Sequence, residues 1–135
     1  MSPSLLAVLG FIAWALLLLV VMETIRAKLV LTGEVPANGF NPENSNLSPF
    51  MQRLARAHAN CLEGLPIFGG LLLLAVVGGK EPITDPLAYL LLGARIIQSA
   101  IHLVSTSAIA VTARFTAFAL QMAIAVVWIV QLYST

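Results

Sequence analysis

Apolar stretches long enough to cross a lipid bilayer dominate this sequence and restrict the folds open to it. The hydrophobic pattern predicts helices at about 4–31, 49–77, 86–110 and 112–132. About 20 apolar residues in a helix cross the roughly 30 Å hydrocarbon core of a bilayer. Hydrophobic residues make up 59% of the 135 positions and charged residues only 10%, which excludes a soluble domain. We therefore predict an all-α membrane protein, a single domain over residues 1–135, whose four transmembrane helices form an antiparallel bundle.

Charge and cysteine content exclude several classes of function. The net charge is +1, so no basic surface suggests a nucleic-acid partner. Cys61 is the only cysteine, which excludes an internal disulfide and a cysteine-based metal cluster, and we interpret it as a small packing residue. His58 and His102 lie 44 positions apart and lack metal-ligand spacing. No metal site is predicted.

The basic residues predict the orientation of the four spans. Lys80 lies alone beside the second connection. The other basic residues lie beside the first and third connections: Arg26, Lys28, Arg53, Arg56 and Arg114. The positive-inside rule places that side in the cytoplasm. We therefore predict a multi-pass integral membrane protein with both termini on the non-cytoplasmic side.

Local signals place several breaks and contacts. Thr32–Ser48 is a polar connection rich in Gly, Pro and Asn, and Ser48 before Pro49 resembles a helix N-cap. Pro66 inside the second helix predicts a kink or a loosened turn. Two expectations concern the membrane edges: an ion pair between Glu23 and Arg26, and interfacial anchoring by Trp128 and Tyr133.

Four polar residues of the second helix share one face: Arg53, Arg56, Asn60 and Glu63. At about 100° per residue they fall within a sector of roughly 80°. Charged groups at membrane depth are costly and favour a functional interpretation. The alternative is that the charges reach the lipid headgroups by snorkelling. That serves for Arg53 and Arg56, but Glu63 is too short and adjoins an apolar run.

The third helix carries a second polar set, Arg95, Gln98 and His102, on one face. Depths can be counted inward from Pro49 on the second helix and from Ala110 on the third, at 1.5 Å per residue. The polar residues of the third helix then lie at the same depths as polar residues of the second helix. The predicted pairs are Glu63 with Arg95, Asn60 with Gln98, and Arg56 with His102.

We interpret Glu63 and Arg95 as a buried ion pair, because a lone ion at that depth would be strongly unfavourable. The remaining donors of these helices suit an anionic polar ligand held between them. The alternative is that both sets only join the helices. Arg114 lies near the start of the fourth helix, with Gln121 two turns further on the same side.

The segment Arg56–Phe68, RAHANCLEGLPIF, resembles the signature of the MAPEG family, the membrane-associated proteins in eicosanoid and glutathione metabolism. That signature is approximately Arg-Ala-x-x-Asn-x-x-Glu-x-x-Pro, and it matches Arg56, Ala57, Asn60, Glu63 and Pro66. Further similarity lies in Leu31-Thr-Gly-Glu-Val, Phe40-Asn-Pro-Glu and Gly93-Ala-Arg, so that it extends over nearly the whole chain.

The resemblance implies a homotrimer with glutathione bound between subunits near the cytoplasmic face. It implies conjugation, isomerisation or peroxide reduction with the glutathione thiol as co-substrate. The implied catalytic residue is Arg114, which would match the arginine that stabilises the thiolate. The implied binding residues are Arg53, Arg56, Asn60, Glu63, Arg95, Gln98 and His102.

Three functions remain to be weighed. The leading one is a glutathione-dependent transferase or peroxidase acting on lipophilic electrophiles dissolved in the bilayer. The alternative is a non-catalytic member that binds an anionic metabolite or lipid headgroup, or acts as a membrane scaffold. It is favoured by the absence of basic residues from Val35 to Gly39, and by Phe115 and Phe118 where the prostaglandin synthase type has serine and tyrosine. An ion path through Glu63, Gln98 and His102 is disfavoured by the neighbouring arginines.

Overall fold

The computed structural model describes residues 1–135 and contains four helices long and apolar enough to cross a membrane. The helices are α1 (Pro3–Leu31), α2 (Pro49–Gly64), α3 (Gly70–Val77), α4 (Glu81–Val104) and α5 (Ala108–Tyr133). A five-residue π-helical turn, Leu65–Gly69, joins α2 and α3 into one span, Pro49–Val77. The chain has no strands, which confirms the all-α fold class with four transmembrane spans.

Serine side chains cap three of the helices at their N-termini. The hydroxyl of Ser2 accepts from Leu5 N at 3.2 Å, that of Ser48 from Met51 N at 3.3 Å, and that of Ser107 from Ala110 N at 3.2 Å. Each cap satisfies one backbone N–H that has no partner inside its helix. The predicted cap at Ser48 is confirmed.

The π turn is centred on the proline that the sequence marks as a break. Pro66 has no N–H, and its ring crowds the carbonyl of the preceding turn, so regular α geometry cannot pass through it. The wider turn of Leu65–Gly69 accommodates the proline, after which Gly70 resumes an α-helix. The predicted loosened turn is confirmed.

The predicted bounds of the third span were wrong at both ends. α4 begins at Glu81, not at Pro86, because Pro82 is tolerated in the first turn of a helix. It ends at Val104, not at Ala110. Ser105 is extended (φ −157°, ψ 153°), and the next helix starts at Ala108. Serine and threonine hydroxyls at 105–107 compete with helical hydrogen bonding and allow this short link.

An apolar core runs the length of the bundle where α1 packs against the second and third spans. Its large buried members include Phe11, Leu54, Phe68, Leu72, Leu91 and Trp128. Trp128 is 0% exposed, so its predicted role as an interfacial anchor was wrong. Tyr133, at the end of the same helix, is exposed.

Arg26 holds the Thr32–Ser48 connection against the bundle. Its Nε donates to Asn44 Oδ1 at 3.1 Å, and its Nη2 donates to the Asn41 carbonyl at 3.1 Å. Asn44, which is buried and in the left-handed region (φ 55°), donates in turn to the Met51 carbonyl at 2.8 Å. The predicted ion pair is confirmed, with Arg26 Nη1 at 3.0 Å from Glu23 Oε1. One arginine thus joins α1, the connection and the start of α2.

Polar groups fasten α1 to α4 at the opposite end of the bundle. The backbone N–H of Ser4 donates to Asp85 Oδ1 at 3.0 Å, and the Ser4 hydroxyl contacts both Asp85 and Thr84. Ser2 donates to Glu81 at 2.9 Å. The carboxylates lie at two helix N-termini, where negative charge is favourable. We call this end the acidic end, and the end that carries Thr32–Ser48 the basic end.

Candidate functional site

The polar stripe of α2 faces away from the interior of the chain. Arg56 and Glu63 are exposed, while Arg53 and Asn60 are partly buried. Arg53 Nε donates to the carbonyl of Leu103, near the end of α4, at 2.8 Å. Counted from Pro49 along the helix, Arg56 lies about 10 Å and Glu63 about 21 Å into the span. Two full charges at membrane depth therefore lie on the outer surface of a single chain.

Arg95 is enclosed by aromatic rings inside the bundle. It is 0% exposed, and its guanidinium carbon lies 5.4 Å, 5.7 Å and 5.8 Å from the ring centroids of Phe11, Phe68 and Phe118. Its Nη1 donates to the Asn60 carbonyl at 3.4 Å, while Nε and Nη2 are buried without a partner. Gly64 provides the space, since a Cβ there would lie 2.6 Å from Arg95 Nη2. Cation–π attraction replaces most of the hydrogen bonds of this guanidinium.

The predicted buried ion pair between Glu63 and Arg95 was wrong for this chain. Glu63 is exposed, and Glu23 with Arg26 is the only ion pair that the structure contains. Arg95 does lie at the depth of Glu63, because its Nη1 donates to the Asn60 carbonyl and its Nη2 adjoins Gly64. The pair fails because the two side chains point in different directions, Glu63 outward and Arg95 inward. Burial of the cation depends on the aromatic rings instead of a carboxylate.

A pocket of about 280 Å³ opens between α2, α4 and α5, and we call it the amide–arginine pocket. Its polar lining is Asn60, Gln98 and Arg114, and its apolar lining is Val111, Phe115 and Phe118. No protein atom bonds to the side-chain amide of Asn60, and Arg114 Nη1 is buried without a partner. The pocket therefore combines hydrogen-bonding groups that the fold leaves unused with an apolar wall.

Gln98 is held by Gln121, a residue that sequence reasoning left outside the site. Gln121 Nε2 donates to Gln98 Oε1 at 2.9 Å and to the Ala117 carbonyl at 3.1 Å. Gln121 is 0% exposed and does not line the pocket. The sequence signal was its position on the Arg114 side of the last helix, but nothing in the sequence indicated its partner.

His102 lies beside three arginines at the basic end. It is buried, its Nε2 has no hydrogen-bond partner, and the positive charges of Arg114, Arg56 and Arg53 act on it. None of these three arginines has a carboxylate partner within the chain. A cluster of cations without acids favours an anion as its partner.

The eight predicted site residues therefore occupy three environments. Asn60, Gln98 and Arg114 line one pocket, so the predicted proximity of Asn60 and Gln98 is confirmed. Arg53, Arg56 and Glu63 form the outer stripe. Arg56 lies close enough to His102 for its charge to act on the imidazole, as the predicted pairing in depth requires. Arg95 and His102 are internal. The structure brings together the middle of the predicted site and separates Glu63 from Arg95.

Four apolar spans with arginines and amides within them define an integral membrane protein built around an intramembrane polar site. The model of the MAPEG family matches residues 4–134 of this chain. Because that match covers nearly all of the 135 residues, the chain belongs to the MAPEG family. No curated protein and no solved structure matches it significantly.

Proposed function

We propose that the protein is a glutathione-dependent membrane transferase or peroxidase acting on lipophilic electrophiles. The observation that carries this proposal is the amide–arginine pocket, where uncommitted polar groups adjoin an apolar wall. A water-soluble anionic thiol suits the polar side, and a substrate dissolved in the bilayer suits Val111, Phe115 and Phe118. Membership of the MAPEG family supports a reaction of this type.

We further propose that glutathione is held between subunits of a homotrimer. Arg56 and Glu63 are exposed on a membrane-spanning face, where contact with lipid would be costly. A neighbouring copy that covers this stripe would shield both charges and enclose the ligand. Native mass measurement in mild detergent should find three copies per particle. A strictly monomeric particle that still binds glutathione would remove the shared-site arrangement.

The proposed roles follow from accessibility and charge. Arg53 and Arg56, near the basic end, would bind glutathione carboxylates, and Glu63 would bind its amino group, with Asn60 and Gln98 between them. His102 lies behind this surface and would support it. Arg95 has no accessible atom, so we assign it to the support of α2 beneath the pocket and not to direct contact with the ligand.

Arg114 would stabilise the reacting thiolate. A free thiol has a pKa of about 8.5, so only a few per cent is ionised at neutral pH. A fixed cation nearby lowers that pKa. The thiolate would attack an electrophilic carbon with loss of the leaving group. With a hydroperoxide it would attack the terminal oxygen and release the alcohol, and a second glutathione would then form the disulfide and water.

Glutathione titration calorimetry and ultraviolet thiolate absorbance test the proposal in detergent. Arg114→Ala should retain glutathione binding, lose the thiolate signal and lose turnover with a chlorodinitrobenzene or an organic hydroperoxide. Lys28→Ala is the matched control, because Lys28 is an exposed cation at the basic end outside the pocket. Undiminished thiolate absorbance and turnover in Arg114→Ala would leave Arg114 as a headgroup anchor.

One observation favours a second function, the non-catalytic binding of an anionic metabolite or lipid headgroup. Phe115 and Phe118 give the pocket a wall without hydroxyl groups, so no side-chain hydroxyl there can donate to a reacting atom. A protein of this kind would bind an anion at the pocket without turning over any thiol substrate. Binding of glutathione without thiolate formation, or binding of an anionic lipid in its place, would favour this function over catalysis.

A further inference from the structure

Gln121 forms the least accessible polar contact of the site. Its Nε2 uses both of its N–H groups, one on Gln98 Oε1 at 2.9 Å and one on the Ala117 carbonyl at 3.1 Å. Its Oε1 is buried and has no partner. The Ala117 carbonyl is a fixed acceptor of α5, so reversal of the Gln121 amide would place two oxygens against each other. The backbone of α5 thus sets which end of Gln121 faces Gln98.

This arrangement determines which end of Gln98 faces the pocket. A side-chain amide has an acceptor end and a donor end, and the Oε1 of Gln98 is engaged by Gln121. The Nε2 of Gln98 makes no hydrogen bond in the protein and is accessible from outside. Since Gln98 lines the amide–arginine pocket, its N–H groups are the atoms presented there. The reversed amide would set two N–H groups against each other.

We propose that Gln121 is a positioning residue that fixes Gln98 with its N–H groups toward the pocket. Gln98 and Arg114 then present only donors, so the side of the pocket that they form favours ligands that bring an anionic or acceptor group to it. This inference rests on the proposed function only in its choice of glutathione as probe. Gln121 thus influences which ligands the pocket accepts, although it does not line the pocket itself.

Two methionine variants test the proposal, because methionine has the length of glutamine without its amide. Gln98→Met should weaken glutathione binding about tenfold, the effect of losing one good hydrogen bond. Gln121→Met should weaken it by a similar factor although it touches no ligand. In the Gln98→Met background, Gln121→Met should have no further effect on affinity, because the residue it orients is gone. Gln131→Met, an exposed glutamine of the same helix, is the control and should bind like the wild type.

Each outcome of the calorimetry has one meaning. Equal losses of affinity from Gln121→Met with and without Gln98 would show a general structural role and overturn the positioning role. Wild-type affinity in Gln121→Met would overturn it as well. A wild type that binds no glutathione would instead refute the proposed function.

A second measurement needs no ligand and tests the orientation directly. In side-chain amide NMR of the detergent-solubilised wild type, the buried N–H groups of Gln121 should be protected from exchange with water. Those of Gln98 should exchange faster. Protection of both amides, or of Gln98 alone, would overturn the orientation whatever the protein binds.

Discussion

The enclosure of Arg95 predicts an unusual response to the smallest possible substitution at Gly64. A Cβ on Gly64 would lie 2.6 Å from Arg95 Nη2 and 3.1 Å from two carbons of the Phe68 ring. Alanine in a helix normally stabilises by about 1 kcal/mol relative to glycine. Overpacking of a well-packed interior costs about 1–3 kcal/mol. Since the guanidinium is confined by three rings, we expect Gly64→Ala to be destabilising by about 1 kcal/mol net.

Gly70→Ala provides the matched control, because a Cβ there would meet nothing within 4 Å. It should be neutral or stabilising by up to about 1 kcal/mol. The unfolding free energies of the two variants, measured by denaturing-detergent titration with tryptophan fluorescence, should therefore differ by about 2 kcal/mol. Arg95→Met removes the crowded nitrogen, so Gly64→Ala in that background should cost less. Equal stability of Gly64→Ala and Gly70→Ala would refute the placement of the guanidinium against Gly64.

Three further predictions concern groups at the surface and at the two ends. Glu63→Gln should change the free energy of unfolding by less than about 0.5 kcal/mol, since no ion pair is lost, while weakening glutathione binding; a larger destabilisation would restore an internal partner for Glu63. Arg26→Met should cost about 1–3 kcal/mol by leaving buried Asn44 without its donor, and should expose residues 32–48 to protease, unlike Lys28→Met. Asp85→Ala should cost about 1 kcal/mol at the N-terminus of α1, and Asp85→Asn less because it keeps the acceptor; identical losses would show that charge dominates.

The spans and their breaks were predictable because they depend on local chemistry. Long apolar runs require helices in a bilayer, Ser48 can cap a helix, and Pro66 cannot continue one. The end of α4 was not predictable in the same way. The short segment 105–107 could continue a helix or end it. It ends α4 because Ser105 accepts from Ser107 N at 3.0 Å and Ser107 caps the start of α5.

The residues of the candidate site were predictable from the sequence, but the directions of their side chains were not. The depth of a residue along a helix can be counted from sequence, whereas the direction of its side chain depends on how the helices pack. Arg95 was therefore placed on the right helix with the wrong partner, because three phenylalanines from different helices form its surroundings. Gln121 was missed for the same reason, since its importance lies in a contact with another helix. The orientation of the termini across the membrane stays a prediction.

The π turn at Leu65–Gly69 divides the second span into α2 and α3. The faces that these two helices present are set separately, because the turn between them is not a regular α-helix. An extra residue in a turn shifts everything beyond it by about 100° around the helix axis. Deleting a residue beside Pro66 would rotate Arg56, Asn60 and Glu63 by about 100° around the helix axis relative to α3, and would take Asn60 out of the amide–arginine pocket. A change in the number of residues in this turn would therefore rotate the polar helix α2 around its axis, while the apolar helix α3 would keep its position in the bilayer.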